Sequence, residues 1–537
     1  MIARASDGER FTWWARKLLL AACLAGGTLA ALRIWIGPNR LVNSPLNVEG
    51  AFAVGALLLL ASQGVRGHSD AGFNDPESGL TRRMEAEDRW MAAGIAVLVA
   101  ATYWPALSMP LLYDDYSHAD KITRAGAGFW KEQILDGRSG FFRPLGMYMY
   151  RMDTLWAGRN PFLWRLDNVI LHALNAVLML LLGRRLGLGA WTAGFAALLF
   201  AWHGSRPESV GWVAARFDLL AAAFVFAGLL LLFRYAERPS AAVLCAALAM
   251  CVCGLLSKEE AFVFPLLGTV LLWRKVSCRV LGAFYGVTAA VFLYRWRLLG
   301  GIGGYLTKGG EPTIFIFSSG RTAKALLMRL WAVLWFPIDW TAAPGVALAL
   351  GMTLMLAAWM WLLHKRAAMH GPALAFTIAA ALPVQHLLLI GADLEKSRVL
   401  YLPAAGFALL AAFALESVWK WKMASAAAAA ILVFELTALS HNLAIWKRVS
   451  ATSQSACQQV GAAIQQTGRD AIVVGLPNVK DGVYFLRNGF PECVEWNTGV
   501  SQWRVHVADP PEDAREDGVV LKWEDSASRF IAAYAEK

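Results

Sequence analysis

SMPLLYDDYSHADKI, residues 108–122, runs a long apolar segment straight into two adjacent carboxylates, Asp114 and Asp115. The segment before them, about residues 90–112, is long and apolar enough to cross a bilayer as a helix. The same pattern recurs near 18–36, 48–65, 163–183, 188–202, 209–233, 241–256, 261–273, 279–299, 345–363, 371–391, 398–418 and 423–440. Of the 537 residues, 57% are hydrophobic and 17% charged, where soluble chains carry about 25% charged residues. A membrane β-barrel would show short alternating segments instead. The expectation is an all-α polytopic membrane protein with about 13 transmembrane helices and a small C-terminal α/β domain outside the membrane.

Charge distribution gives the orientation. The net charge of +11 is explained by topology rather than by nucleic acid, because Lys and Arg collect in short loops. With the N-terminus cytoplasmic, inside loops carry Arg82 and Arg83, Arg184 and Arg185, Arg234 and Arg238, Arg274, Lys275 and Arg279, Lys365 and Arg366, and Lys420 and Lys422. Arg16 and Lys17 precede an apolar run that resembles a signal peptide, but the run is long and lacks a clean cleavage signal, so it reads as a retained first span. Residues 321–340 must then stay outside, as a surface or re-entrant helix. The unusual polar residues fall on the outer side: Asp114, Asp115, Arg143, His203, Glu208, Lys258 to Glu260, the Gly-rich loop 300–310, and Glu395 with Arg398. Charged groups near membrane depth are costly, so they face a cavity or one another.

Three regions follow: 1–89, two extra helices and a cytoplasmic loop; 90–440, the catalytic membrane part; 441–537, a small periplasmic domain. In the last, AIVVGLP, VYFLRNGF and VVLKWED read as strands and 446–467 as helix. FFRPLGMYMYRMDTLWAG, from residue 141, reads as an interfacial amphipathic helix. Cys457 and Cys493 lie in the polar tail; outside the cell they could form one disulfide, and two free thiols are as consistent with the sequence.

Each polar cluster has a chemical and a bland reading. An ionised Asp114 or Asp115 near an acceptor hydroxyl can act as general base while its neighbour orients it or holds Mg²⁺ or Mn²⁺; alone, the pair also marks a helix end. Arg216 inside an apolar stretch needs a partner, for which Asp218 or Glu208 is at hand. His203 and Arg216 suit a phosphate, and so does Lys258 beside Glu259. Arg398 and Tyr401 share a helix face and could clasp a phosphate or merely anchor the interface. His172 and Asn175, one turn apart, read as core hydrogen bonding between helices. There is no P-loop, GxSxG, Rossmann glycine pattern or zinc signature.

The run YDD, FRPLGMYMYRMD, LDNVILHALNAVL, LLFAWHGSRPESVGWVAARFDLLAAAF, LSKEEAFVFPLL and EKSRVLYLPAAGF resembles the membrane part of the TMTC-type protein O-mannosyltransferases and their bacterial relatives, GT-C glycosyltransferases, over about residues 90–440. The resemblance implies a sugar donor on polyprenyl phosphate, an acidic base after the first core span, and inversion at the anomeric carbon. Carried over by position, Asp114 is the first choice of base and Asp115 its helper. Arg143, His203, Arg216, Lys258 and Arg398 are candidates for the lipid phosphate, with Glu208, Asp218, Glu259 and Tyr401 beside them. The resemblance implies no definite cofactor and leaves a divalent cation, Mg²⁺ or Mn²⁺, open. Two extra spans precede the acidic pair, the family's His-Pro is His203-Gly204, and no TPR helices follow. The acceptor is therefore left as a protein or an envelope glycan. The sequence reads as an inner-membrane glycosyltransferase, with an oligosaccharide ligase or a lipid-linked sugar flippase as rivals.

Overall fold

The computed structural model describes residues 7–36, 45–66, 86–126, 128–137, 140–304, 319–388, 390–508 and 518–532. Residues 82–83 and 305–310, read above as part of an inside loop and of the Gly-rich outer loop, lie outside the described residues. The chain is mostly helical, with its strands concentrated near the C-terminus. Each of the apolar stretches read from the sequence falls on a helix, because an apolar segment without water must satisfy its backbone internally.

Among the described residues, six helices are long and apolar enough to cross a membrane: Trp14–Trp35, Pro161–Arg185, Val213–Glu237, Val346–His364, Ser397–Glu416 and Met423–Thr467. Four more apolar helices are shorter: Asn47–Ser62, Ala190–Trp202, Ala241–Ser257 and Gly371–Leu387. The expected number of about 13 spans is therefore reached only in part. The helix Ala86–Tyr103 opens on Glu87, Asp88 and Arg89, Phe264–Leu272 is only nine residues long, and Cys278–Leu299 carries Arg279, Arg295 and Arg297. Tyr401–Glu416 forms the centre of the bundle and is buried almost throughout.

Of the two forms expected for 321–340, a surface helix or a re-entrant one, the burial of its second half sets aside the surface helix alone. This segment continues from Ser319–Lys324 through one π-helical turn into Leu330–Trp335, and that last part is wholly buried. Its Trp335 ring lies 5.6 Å from Phe52 and 4.0 Å from Trp359. All six side chains of the apolar run LWAVLW are thereby removed from solvent.

Met423–Thr467 is one continuous helix of 45 residues, roughly 65–70 Å long. Position 441 is therefore mid-helix, and the bundle and the tail are joined by a rod rather than a linker. The tail carries a four-stranded sheet: Ala471–Val474 runs parallel to both Val505–Ala508 and Val519–Glu524, and Arg529–Ala532 pairs antiparallel at the edge. Val483–Tyr484, expected as a sheet strand, instead forms a two-residue ribbon with Val479–Lys480. Cys457 and Cys493 are joined, with Cα atoms 5.9 Å apart, tying the long helix to the helix Phe490–Thr498.

Candidate active site

The helix Asp114–Arg124 begins where the chain emerges from Met109–Leu112. Tyr113, just before it, holds a positive φ of 49°, a conformation costly for a bulky residue and characteristic of functional sites. This turn sends the two adjacent carboxylates into different surroundings.

Asp115 is fully buried. Its Oδ2 accepts from the Leu112 amide at 3.1 Å, its Oδ1 from the Ala214 amide at 2.7 Å, and the Tyr150 hydroxyl stands at 3.4 Å. Burial pushes its pKa up to about 6, against the opposing pull of Arg165, the two amides and Arg216. The surrounding groups are equally committed. Arg165 donates to the carbonyls of Gly211 (2.7 Å), Met109 and Pro110 (3.0 Å). Asn168 donates to Trp212 O at 3.0 Å. Arg216 pairs with Asp153 and donates to Trp164 O at 2.9 Å. The partner of Arg216 is thus Asp153 from the helix Pro144–Trp156, not Asp218 or Glu208. This cluster clamps segment 107–113 to segment 210–214.

Asp114 is partly exposed. Its Oδ1 accepts from Asn488 at 3.1 Å, and among the described residues Oδ2 has no protein donor. One turn on, His118 packs against Tyr150 and Phe217, with ring centroids 5.3 and 5.9 Å away. Burial holds the His118 imidazole below its usual pKa, with Asp114 opposing and Arg143 adding to the effect. His118 was missed in the sequence, although its i+4 spacing from Asp114 was the available signal.

The Arg143 guanidinium lies over the same Phe217 ring, 5.5 Å from its centroid, and so leads from the acidic helix into a cavity. That cavity, of about 210 Å³, is lined by Arg143, Lys258, Arg295 and Arg398, by Glu259, Glu260 and His386, and otherwise by apolar residues and glycines. Arg143 donates to Glu259 at 2.8 and 3.0 Å, and Arg295 reaches the other oxygen at 3.3 Å. Burial alone would raise Glu259, but Arg143 and Arg295 outweigh it and hold its carboxyl at about 2. Lys258 pairs with Asp218 and, at 3.2 Å, with Glu260. Burial opposes its charge, yet these carboxylates raise its pKa above the usual value. Arg398 pairs with Glu208, whose oxygens also take the Arg398 amide and the Ser397 hydroxyl, each at 3.2 Å.

The sequence-derived candidates therefore separate. Arg143, Lys258, Glu259 and Arg398 meet at one cavity, and Asp218 and Glu208 stand behind the cations as counter-charges. Arg216 belongs to the Asp115 cluster. His203 is buried between the Ser205 hydroxyl (2.8 Å) and Leu334 O (3.1 Å). Tyr401 is buried against His172 (2.7 Å) and Asn175 (3.1 Å). A Cβ at Gly204 would lie 2.5 Å from Pro337 O, so a side chain there needs the backbone to shift.

A second, apolar cavity of about 640 Å³ flanks the first. Trp130, Ile134, Phe142, Leu145, Tyr148 and Tyr294 line it, and it shares segment 141–145 and the helix Cys278–Leu299 with the cationic one. On the helix of Tyr148, Pro144–Trp156, Met152 and Leu155 are exposed. Among the described residues no three or more His, Cys, Asp or Glu form a metal-holding group. Asp115 spends both oxygens on amides, so the acidic pair does not fit the oxygen-rich set that Mg²⁺ or Mn²⁺ needs.

Protein O-mannosyl-transferase TMTC3 of Mus musculus is 31% identical over 147 residues, 25% of this chain and 16% of that protein. Protein O-mannosyl-transferase TMTC4 of Homo sapiens is 24% identical over 368 residues, 54% of this chain and 49% of that protein. The chain is similar to the TMTC-type protein O-mannosyl-transferases. The matches span half of those proteins or less. ArnT from Cupriavidus metallidurans in the apo state superposes with a TM-score of 0.39 and 13% identity, over 82% of this chain and 94% of that one. No family model matches the chain.

Proposed function

We propose that the chain is an inverting membrane glycosyltransferase that moves a sugar from a polyprenyl-phosphate-linked donor to an acceptor hydroxyl on a protein or an envelope glycan. The observation that carries this reading is the apposition of a cationic cavity and an apolar one, with a partly exposed carboxylate nearby. A polyprenyl phosphate has the same two-part character. Its charged head suits Arg143, Lys258 and Arg398, and its hydrocarbon suits the Trp130–Tyr294 groove.

In this mechanism Asp114 takes the proton of the acceptor hydroxyl through its unengaged Oδ2. The hydroxyl oxygen bonds to the anomeric carbon as the bond from that carbon to the phosphate oxygen breaks, and the electron pair leaves with the polyprenyl phosphate. Arg143, Lys258 and Arg398 stabilise the charge that develops on the departing phosphate. Their flanking carboxylates hold the cations in place before the donor arrives. A single displacement gives inversion.

An outer-face site in a bacterial inner membrane is supported by two features. The Cys457–Cys493 bond belongs in an oxidising compartment, and the basic loops sit at the opposite end, where Arg184 pairs with Asp88 at 2.9 Å and Lys365 lies over Trp421. The test is transfer of radiolabelled sugar from polyprenyl-phosphate donors to membrane acceptors by the purified protein in proteoliposomes. Transfer that requires Asp114 and yields the inverted linkage supports the reading. Absence of transfer from every polyprenyl-phosphate donor sinks it.

A further inference from the structure

The proposed mechanism leaves unexplained what the C-terminal region does over the acidic helix. Three of its polar side chains reach into the membrane part within one stretch of chain. Asn478 Oδ1 accepts from the Tyr113 hydroxyl at 2.6 Å, Asn488 donates to Asp114 Oδ1, and the Tyr484 hydroxyl accepts from Arg398 at 3.3 Å. The Tyr484 ring packs 5.1 Å from both Tyr113 and Trp212, and the Arg398 guanidinium lies 5.1 Å over Trp212 and 5.2 Å over Tyr484.

Two glycines make this approach possible. Gly482 and Gly489 both hold positive φ, 72° and 69°. A Cβ on Gly482 would lie 1.7 Å from Asp393 O, and one on Gly489 would lie 2.5 Å from Tyr113 O. Any side chain at either position would therefore lift the loop off the bundle. The disulfide fixes the loop from the other side, since Cys493 lies only a few residues beyond Asn488.

We propose that loop 475–489 of the C-terminal region is a built-in part of the active site, in which Asn488 is a positioning residue for the Asp114 carboxylate and Tyr484 one for the Arg398 guanidinium. This rests on the reading of Asp114 as base and Arg398 as a donor-phosphate ligand. The Asn488 amide occupies Oδ1 and so presents Oδ2 to the acceptor. The Tyr484 and Trp212 rings pack side by side, and the Arg398 guanidinium lies over both, which limits the directions its N–H groups can face. The two contacts separate acceptor activation from donor binding within one loop.

The experiment compares Asn488→Asp, Asn488→Gln and Tyr484→Phe in the full-length protein, each scored for retained disulfide and thermal midpoint. Asn488→Asp keeps the shape and loses the donor, so kcat should fall at least tenfold with KM for the polyprenyl-phosphate donor within twofold of wild type. Asn488→Gln keeps an amide on an exposed side chain and should restore kcat to within about threefold. Tyr484→Phe keeps the ring and should raise donor KM about three- to tenfold with little change in kcat. A loop that merely docks the tail would give no such split, and values within twofold of wild type in both Asn488→Asp and Tyr484→Phe overturn the proposal. If the wild-type protein transfers no sugar, the reading of the site has failed, and Asp114→Cys with Asn488→Cys decides the loop's placement. Joining of these thiols by a short bis-maleimide, each thiol adding across one maleimide double bond, in intact cells supports the placement, and no cross-link overturns it.

Discussion

Two ionic clusters lie side by side at one end of the bundle, and they are built on opposite plans. Around Asp115 the charges face inward and are matched: Arg165 to backbone carbonyls, Arg216 to Asp153, Asp115 to two amides. Around Arg143, Lys258 and Arg398 each cation has a carboxylate beside it, yet all three also border a cavity. The closed cluster fixes backbone, and the open one keeps charge facing a space. Side-chain type does not distinguish them, since both hold Arg and Asp or Glu. What differs is where their hydrogen-bonding capacity ends up.

The largest effect should come from the residue between the clusters. Asp114→Asn is expected to lower sugar transfer 10²- to 10⁴-fold, the usual contribution of a general base, with expression and thermal midpoint unchanged. Sugar-transfer rates and thermal unfolding in detergent check both halves. If Asp115→Asn shows that profile instead, the assignment of closed and open roles is reversed. Next is Arg165→Ala, which strips the closed cluster of its central cation and leaves buried carbonyls and Asp115 uncompensated. It should cost about 3–5 kcal/mol of stability, read as loss of folded protein in a fluorescence-detected size-exclusion profile. A well-folded Arg165→Ala would mean that the closed cluster does not hold the fold.

This division was only half legible in the sequence. Apolar runs revealed the helices because length and desolvation determine them locally. Polar residues in or beside apolar runs are equally visible, and Arg143, Lys258 and Arg398 look no different there from His203, Arg216 and Tyr401. The sequence could not show which would line a cavity. Arg216 was assigned to nearby carboxylates, whereas its partner Asp153 arrives from a different helix. Asp115 resembled Asp114 because acceptance from the Leu112 and Ala214 amides depends on how two distant segments meet. Tyr484 and Asn488 sit in an ordinary polar tail, where nothing about their neighbours sets them apart.

A smaller effect sharpens the contrast between bundle and tail. The Cys457–Cys493 bond closes a segment of 36 residues that includes loop 475–489. Replacing both cysteines with serine should cost the tail about 2–4 kcal/mol. Limited proteolysis should then cut within 468–500 while the bundle stays intact. Cleavage spread equally through bundle and tail would indicate that the two unfold as one unit.

The finest test uses pH, because one carboxylate from each cluster is shifted in the opposite direction. Asp115 is raised from 3.8 to about 6, so its contribution to stability is fully present below its unfolded value near 3.8 and is lost as pH rises through about 6. Glu259 is lowered from 4.5 to about 2, so its contribution is fully present above 4.5 and is lost as pH falls through about 2. Thermal midpoints of wild type, Asp115→Asn and Glu259→Gln, measured in detergent between pH 3 and 8, isolate the two terms. The advantage of wild type over Asp115→Asn should shrink between pH 4 and 6 by an amount on the order of 1–3 kcal/mol. Its advantage over Glu259→Gln should hold from pH 8 down to about 5 and shrink below 4.5. Within the open cluster it is Glu259, between Arg143 and Arg295, that is held ionised, whereas burial pushes Glu260 on the same cavity up to about 8, so the local field that favours an anion lies at the Arg143–Arg295 end of the cavity. Matching slopes for the two variants would remove that distinction and with it the electrostatic basis for placing the donor phosphate beside Arg143, Lys258 and Arg398.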